Sequence, residues 1–206
     1  MKNKIPIIEC GHGGMIDGIY QTKGKKYYEF DSGKVVYEGV INRTIGKMVI
    51  DKLKSKGIFY IDLNTTNQAD TPIWNRIRKI NSLFYEYNNA YLISLHSNAA
   101  SESLKGEGSK ATGFEILVYN YPGLSFKLAE IAKSHYENKF PGVTFRGIKT
   151  RNDLALLRKT ICPAILLENL FFDNEREANY LTSDIGQDDI SDCIVDIIKE
   201  IYNTDI

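Results

Sequence analysis

The chain has 206 residues, 43% apolar and 25% charged, ordinary values for a soluble globular protein and suited to one compact domain with a single sizeable core. Lys plus Arg equals Asp plus Glu at 26 each, so no global basic field draws it to nucleic acid or an anionic membrane surface. No apolar run nears the roughly 18 residues of a membrane helix, and the basic start meets only a few apolar residues before Glu9, too few for a secretory signal.

Ile5 to Cys10 reads as a buried strand. Residues 19–37 hold two aromatic or β-branched runs around Asp31-Ser32-Gly33, the signal of an inserted hairpin. Glu38 to Lys56 then carries Ile41, Ile45, Met48, Val49 and Leu53 at helical spacing, with Gly57 as its stop. Ile58 to Ile61 is a short strand, and Pro72 opens a helix through Tyr87. Tyr91 to Leu95 and Phe114 to Tyr119 are buried strands, and Ser97 to Thr112 between them is polar and glycine-containing, which predicts a mobile loop. Gly123 to Tyr136 reads as a helix, a strand follows near Thr144, and Cys162 to Leu167 is a buried strand ending at Glu168. Two helices close the chain, about Asn174 to Thr182 and Ile185 to Tyr202. This alternation predicts an α/β fold, a mostly parallel sheet with helices on both faces. Cys10, Cys162 and Cys193 are odd in number and widely spaced, so reduced core thiols are expected rather than a disulfide framework.

Two of only three histidines stand in short glycine- or serine-framed loops after apolar runs, in Glu9-Cys10-Gly11-His12-Gly13-Gly14 and Ser94-Leu95-His96-Ser97. Ligands of open α/β sheets collect outside the carboxyl ends of the strands, which places both imidazoles on one rim. Each could simply be a polar residue ending its strand. Together they point to a metal, because imidazole is the commonest zinc ligand and catalytic zinc takes three protein groups and a water. Glu38 is the candidate third ligand, although Glu at a helix start is also a routine dipole-compensating residue. Glu168 ends a buried strand, where an unpaired charge is costly; it belongs either to a buried ion pair or to a general base. His135, late in its helix, reads as a surface histidine.

Seven motifs follow in order: Gly11-His12-Gly13-Gly14, Glu38 with Asn42, Arg76 with Asn81, Ser94-Leu95-His96-Ser97-Asn98-Ala99, Gly113-Phe114-Glu115, Leu156-Leu157-Arg158, and Pro163 through Glu168 to Phe172. From about residue 5 to 202 they resemble the zinc-dependent N-acetylmuramoyl-L-alanine amidases that cut bacterial peptidoglycan. The resemblance implies a single domain over residues 1–206, with a twisted, mostly parallel sheet of about six strands. It also implies one Zn2+ held by His12, Glu38 and His96, with Glu168 as catalytic carboxylate and peptidoglycan as substrate. Asn42, one turn after Glu38, either orients it or faces solvent. Arg76 and Asn81 look like packing positions of that family. Asn98 and Arg158 are candidates for substrate contact, with a surface ion pair the alternative for Arg158. Two departures stand out. Glu9-Cys10 precede Gly11-His12 where the family commonly has Asp-Pro, leaving Glu9 as a strand-edge carboxylate. The hairpin at 19–37 is also longer than the minimal family loop, and its Tyr20, Tyr27, Tyr28 and Tyr37 either bind glycan or stem peptide or pack on one another.

The expected activity is hydrolysis of the amide between N-acetylmuramic acid and L-alanine, while a zinc peptidase cutting within the stem peptide would need the same four residues. A non-catalytic peptidoglycan-binding module would have lost a ligand or the base, and none is missing. A nucleic-acid-binding protein is disfavoured by the zero net charge. The expected setting is the cell wall, with the chain either a phage-type endolysin held in the cytoplasm until release or part of a secreted protein. A monomer without membrane insertion is expected.

Overall fold

Residues 4–24 and 26–205 are described in a computed structural model. The reading that excludes a secretory signal rests partly on residues 1–3, which lie outside the described residues. β1 (Ile5–Cys10) is followed by a small hairpin of β2 (Met15–Ile16) and β3 (Ile19–Tyr20), then by a second of β4 (Tyr27–Phe30) and β5 (Val35–Tyr37). α1 (Glu38–Ser55), β6 (Ile61–Asp62), α2 (Ile73–Glu86), β7 (Ala90–Asn98) and β8 (Lys105–Gly106) come next. The second half comprises β9 (Phe114–Val118), α3 (Leu124–Lys139), β10 (Phe145–Thr150), α4 (Ala155–Lys159), β11 (Ala164–Phe171), α5 (Glu175–Leu181) and α6 (Asp184–Asn203). No described helix is long and apolar enough to cross a membrane.

Six strands form the central sheet in the order β10-β9-β11-β7-β1-β6. Every neighbouring pair is parallel except β9 with β11, so the sheet is mixed but mostly parallel, as expected. The exception has a simple cause. Parallel neighbours need a crossover, usually a helix, to carry the chain back across the sheet. Residues 99–113 contain no helix, so the chain leaves β7 at one rim and re-enters as β9 from the same rim.

Alternation along the strands divides the interior in two. Ile8, Cys10, Ile93, Leu95, Ile165 and Leu167 point to one face, where α1, α3, α5 and α6 cover them. Ile7, Leu92, Ala164 and Leu166 point to the other, under Ile77 and Ile80 of α2 and Leu156 and Leu157 of α4. Helices on both faces are therefore observed. α1 ends as the sequence predicts: Gly57 takes φ 65, Ile58 N donates to Leu53 O at 3.1 Å, and Gly57 N donates to Lys54 O at 3.1 Å.

Three local expectations change. The strand expected at Ile58 to Ile61 is shorter and later, because Ile58 and Tyr60 pack on the core while only Ile61 and Asp62 pair with β1. α4 was not expected, since five residues are too few to display a helical period. The segment Ser97 to Thr112 is laced down rather than loose. Ser97 and Asn98 complete β7, β8 pairs with β4, and buried Asp173 accepts from Ala100 N at 2.7 Å, Ser101 N at 2.5 Å and Ser109 Oγ at 3.1 Å.

Glu9 is also no edge residue. β1 lies between β7 and β6, and Glu9 is fully buried, paired with Arg76 of α2 and accepting from Ser94 Oγ. Burial acts to raise its carboxyl, but the Arg76 guanidinium, the nearby His96 and the Ser94 hydroxyl together outweigh that and hold it below the ordinary carboxylate range. Arg76 is thus a counter-charge as well as a packing residue. Asn81, further along α2, donates to Lys159 O and accepts from Ile161 N, both at 3.0 Å, fixing the turn between α4 and β11. Arg76→Ala should cost about 3–5 kcal/mol in urea unfolding by leaving a buried charge unpaired, and adding Glu9→Gln should restore most of it. A double variant as unstable as the single one would show that packing, not charge, is what Arg76 supplies.

Candidate metal centre

Both histidines emerge at the carboxyl rim, as their place after apolar runs implies. His96 lies on β7 directly beside Glu168 of β11 in the parallel register, so both side chains point to the face covered by α2 and α4, just beyond where those helices reach. His12 lies in the turn after β1 and adopts φ 64, a left-handed conformation uncommon outside glycine that swings its imidazole back toward His96. The turn is held by Gly11 N donating to Leu95 O at 2.9 Å and Gly13 N donating to Thr22 Oγ1 at 2.6 Å. Two close approaches explain its glycines. A Cβ on Gly11 would fall 2.0 Å from His96 Cε1, and one on Gly39 would fall 1.9 Å from Gly13 O.

Glu38 is the first residue of α1 and only 2% exposed. Its Oε1 lies 2.8 Å from His96 Nδ1 and its Oε2 lies 3.1 Å from His12 Nε2. The two imidazoles meet edge to face at 5.1 Å between ring centres. Asn42, one turn on, is buried; it donates to Gly11 O at 3.3 Å and reaches Glu38 Oε1 at 3.5 Å, so it faces the site rather than solvent. Burial acts to raise the Glu38 carboxyl, but His12 and the contact with His96 hold it well below the ordinary range. For His96, burial acts to lower the imidazole, and the bond to Glu38 together with the negative charges of Glu38, Glu168 and Glu9 raises it on balance.

These three side chains form a group able to hold a metal ion. One ligand atom from each lies within 4.8 Å of the others. Zinc bonds near 2.0–2.2 Å place tetrahedral donors roughly 3.4 Å apart, so the donors are close to the required spacing. His12 Nε2 supplies an independent observation. Although 3.1 Å from Glu38 Oε2, it is not aimed along a hydrogen bond, and this buried nitrogen has no hydrogen-bond partner. A buried polar atom in that state is accounted for when it ligates an ion.

Glu168 stands beside the group. Its carboxylate has no hydrogen-bond or ion-pair partner among the described residues, which removes the buried-ion-pair alternative. Burial pushes its carboxyl up to about 7, against the opposing pull of His96. A bulge between Glu168 and Phe171 ends the regular pairing of β11, with Leu170 at φ 61. Asn169 within it donates to His96 O at 3.1 Å and accepts from Tyr136 Oη at 2.7 Å, which ties the bulge to both β7 and α3.

A cavity of about 290 Å³ joins His12, Glu38, His96, Glu168 and Asn98, with Lys26 and Arg151 also on its wall. Arg158 is not among the residues lining it; its guanidinium lies 3.4 Å from Asn152 O on α4's exposed side. Asn98 donates to Glu115 Oε1 at 2.8 Å. Lys26 and Arg151 went unnoticed in the sequence because each sits in a short polar turn segment that reads as solvated surface. His135 pairs with Glu200 at 2.8 Å across α3 and α6 and is not among the residues lining the cavity.

A mostly parallel α/β sheet with titratable residues gathered in a cleft at its carboxyl rim is an arrangement that hydrolytic chemistry can use. The chain belongs to the N-acetylmuramoyl-L-alanine amidase family, whose model matches residues 7–200. It is 28% identical over 209 residues to an endolysin of Bacillus phage SPP1, covering 98% of this chain and 67% of that protein. It is 37% identical over 95 residues to the N-acetylmuramoyl-L-alanine amidase CwlM of Bacillus licheniformis, covering 45% of this chain and 33% of that one. Among solved structures, the N-acetylmuramoyl-L-alanine amidase of Clostridium difficile 630 superposes with a TM-score of 0.77 at 25% identity, covering 96% of each chain. Family and relatives together support peptidoglycan N-acetylmuramoyl-L-alanine amidase activity.

Gly11→Ala should displace the His96 ring and weaken zinc affinity by about 10- to 100-fold in a competition titration, the size of effect seen when ligand orientation is lost. A second test concerns Glu168 in metal-free protein. Its raised pKa means that its contribution to stability is fully present below about 4.5 and is lost as pH rises through about 7. Glu168→Gln, which stays neutral, should therefore gain in urea midpoint over the parent between pH 5 and pH 8; a constant difference would place the carboxylate in water rather than in the protein.

Proposed function

We propose that the chain is a zinc-dependent N-acetylmuramoyl-L-alanine amidase that hydrolyses the bond between the lactyl carbonyl of N-acetylmuramic acid and the nitrogen of L-alanine. The observation that carries this reading is the convergence of His12, Glu38 and His96 beside an unpartnered, half-buried Glu168 in one cleft. His12, Glu38 and His96 would hold the ion, leaving a fourth position open. When bound, zinc supplies Lewis acidity, polarising a carbonyl and lowering the pKa of water.

The rest is done by the chain's own groups. A Glu168 carboxylate oxygen takes the proton of the attacking water as its oxygen bonds to the lactyl carbon. The carbon–nitrogen bond then breaks, and Glu168 returns that proton to the alanine nitrogen, which leaves as an amine. Asn42, the close approach of Gly11 to His96 and that of Gly39 to Gly13 hold Glu38 and the imidazoles in place while this happens. Similarity to a phage endolysin over 98% of this chain supports a lytic role at the cell wall; that the chain acts as a monomer is part of the proposal.

The same four residues could serve a peptidase acting within the stem, and the products separate the two. An amidase exposes a new L-alanine amino terminus on an intact stem, whereas a peptidase leaves alanine on the sugar. Digestion of purified peptidoglycan followed by mass analysis should give free intact stems, and chelator should abolish them. Glu168→Gln should keep its zinc and fold yet lose turnover by about 10²- to 10⁴-fold; a variant that cleaves walls at the parental rate removes Glu168 from the reaction.

A further inference from the structure

Lys26 is a cation of the cleft that the reaction above leaves unused. Its side chain is 42% exposed and holds Nζ 3.9 Å from Glu38 Oε2. That carboxylate is already engaged by His12 and His96, and the Lys26 ammonium makes no hydrogen bond to any described residue. Its backbone, in contrast, is firmly placed. Lys26 O accepts from Glu38 N and from Tyr20 Oη, both at 3.0 Å, and Tyr20 Oη in turn accepts from Gly39 N at 3.0 Å. The lysine is therefore fastened to the very residue its ammonium faces.

Lys26 also borders a second cleft, of about 350 Å³, that shares Ala99 and Phe172 with the catalytic cavity. Its ammonium thus stands where the two spaces adjoin. Of the other charged groups nearby, Glu168 is the proton carrier of the reaction, and Arg151 and Asp173 are matched within the protein. Arg151, on the cavity wall, makes hydrogen bonds of 2.8 and 2.7 Å to Asp153. Asp173, in the second cleft, is saturated by Ala100, Ser101 and Ser109. A cation whose one carboxylate neighbour, 3.9 Å away, is already engaged by two imidazoles, and which faces open space beside the reacting bond, calls for an anion on the ligand.

Substrate chemistry narrows which anion. The lactyl carboxyl is consumed in the scissile amide, so no free carboxylate remains on that side of the bond. On the peptide side the first free carboxylate belongs to the acidic residue after L-alanine, and two residues of extended chain reach roughly 7 Å. The geometry points to Lys26 as the residue that binds this α-carboxylate, so that the enzyme prefers stems carrying the free acid over stems in which it is an amide. This inference rests on the amidase reading.

The test uses two soluble muropeptides that differ only in that acid or amide, hydrolysed by the zinc-loaded parent, Lys26→Met and Lys26→Arg, with kcat and KM measured separately. The parent should favour the acid by about tenfold, chiefly through KM, the size expected of a charge-assisted contact at a partly exposed site. Lys26→Met should bring the acid-to-amide ratio of kcat/KM close to one, and Lys26→Arg should keep most of it. Equal use of both substrates by the parent overturns the inference and leaves the amidase reading standing. Loss of zinc, or an equal fall in kcat on both substrates in Lys26→Met, also overturns it, since Lys26 would then act only through Glu38. A parent that cleaves neither muropeptide overturns the amidase reading itself.

Discussion

A carboxylate at 2% exposure must be surrounded by compensating groups, because moving it out of water costs several kcal/mol. At Glu38 the compensation comes from His12, His96, Asn42 and the amino end of α1, where the helix dipole favours negative charge. Those groups come from three separate pieces of the chain, the turn after β1, the end of β7 and α1 itself. The turn after β1, the end of β7 and the inserted hairpin all close on this one side chain, and Gly39 permits the approach by leaving room for Gly13 O. The rim is therefore assembled around a charge and not merely decorated with one.

Much of this was readable in the sequence, for reasons that differ from element to element. β1, β7 and β11 are apolar runs buried on both faces, and α1 and α6 have several turns over which a helical period can show itself. The paired histidines were visible because their short loops follow such runs. What escaped notice depends on partners distant along the chain. The reversal of β9 follows from a connection that lacks a helix, and α4 is a single turn. The burial of Glu9 is decided by Arg76, 67 positions away, and the place of Lys26 by hydrogen bonds to Tyr20 and Glu38. No local pattern encodes those pairings.

The inserted hairpin illustrates the difference. Its Asp31-Ser32-Gly33 turn was legible, whereas the employment of its tyrosines was not. Tyr37 contacts Tyr20 at 4.7 Å and Tyr27 at 6.0 Å between ring centres, and Tyr28 is buried against Phe30 with its hydroxyl accepting from Gly108 N at 3.1 Å. The rings hold the hairpin to itself and to the segment after β7. With β8 paired to β4 and Asp173 anchoring the backbone between them, hairpin and segment form one wall of the cleft.

Cys10, Cys162 and Cys193 are all buried and unpaired, and burial pushes the thiols of Cys162 and Cys193 up to about 12 and that of Cys10 higher still. Thiolate is the form that reacts with oxidants and disulfides, and at neutral pH these three hold almost none of it. No disulfide therefore contributes to the fold, and the interior that the three thiols help to fill also shields them from oxidants.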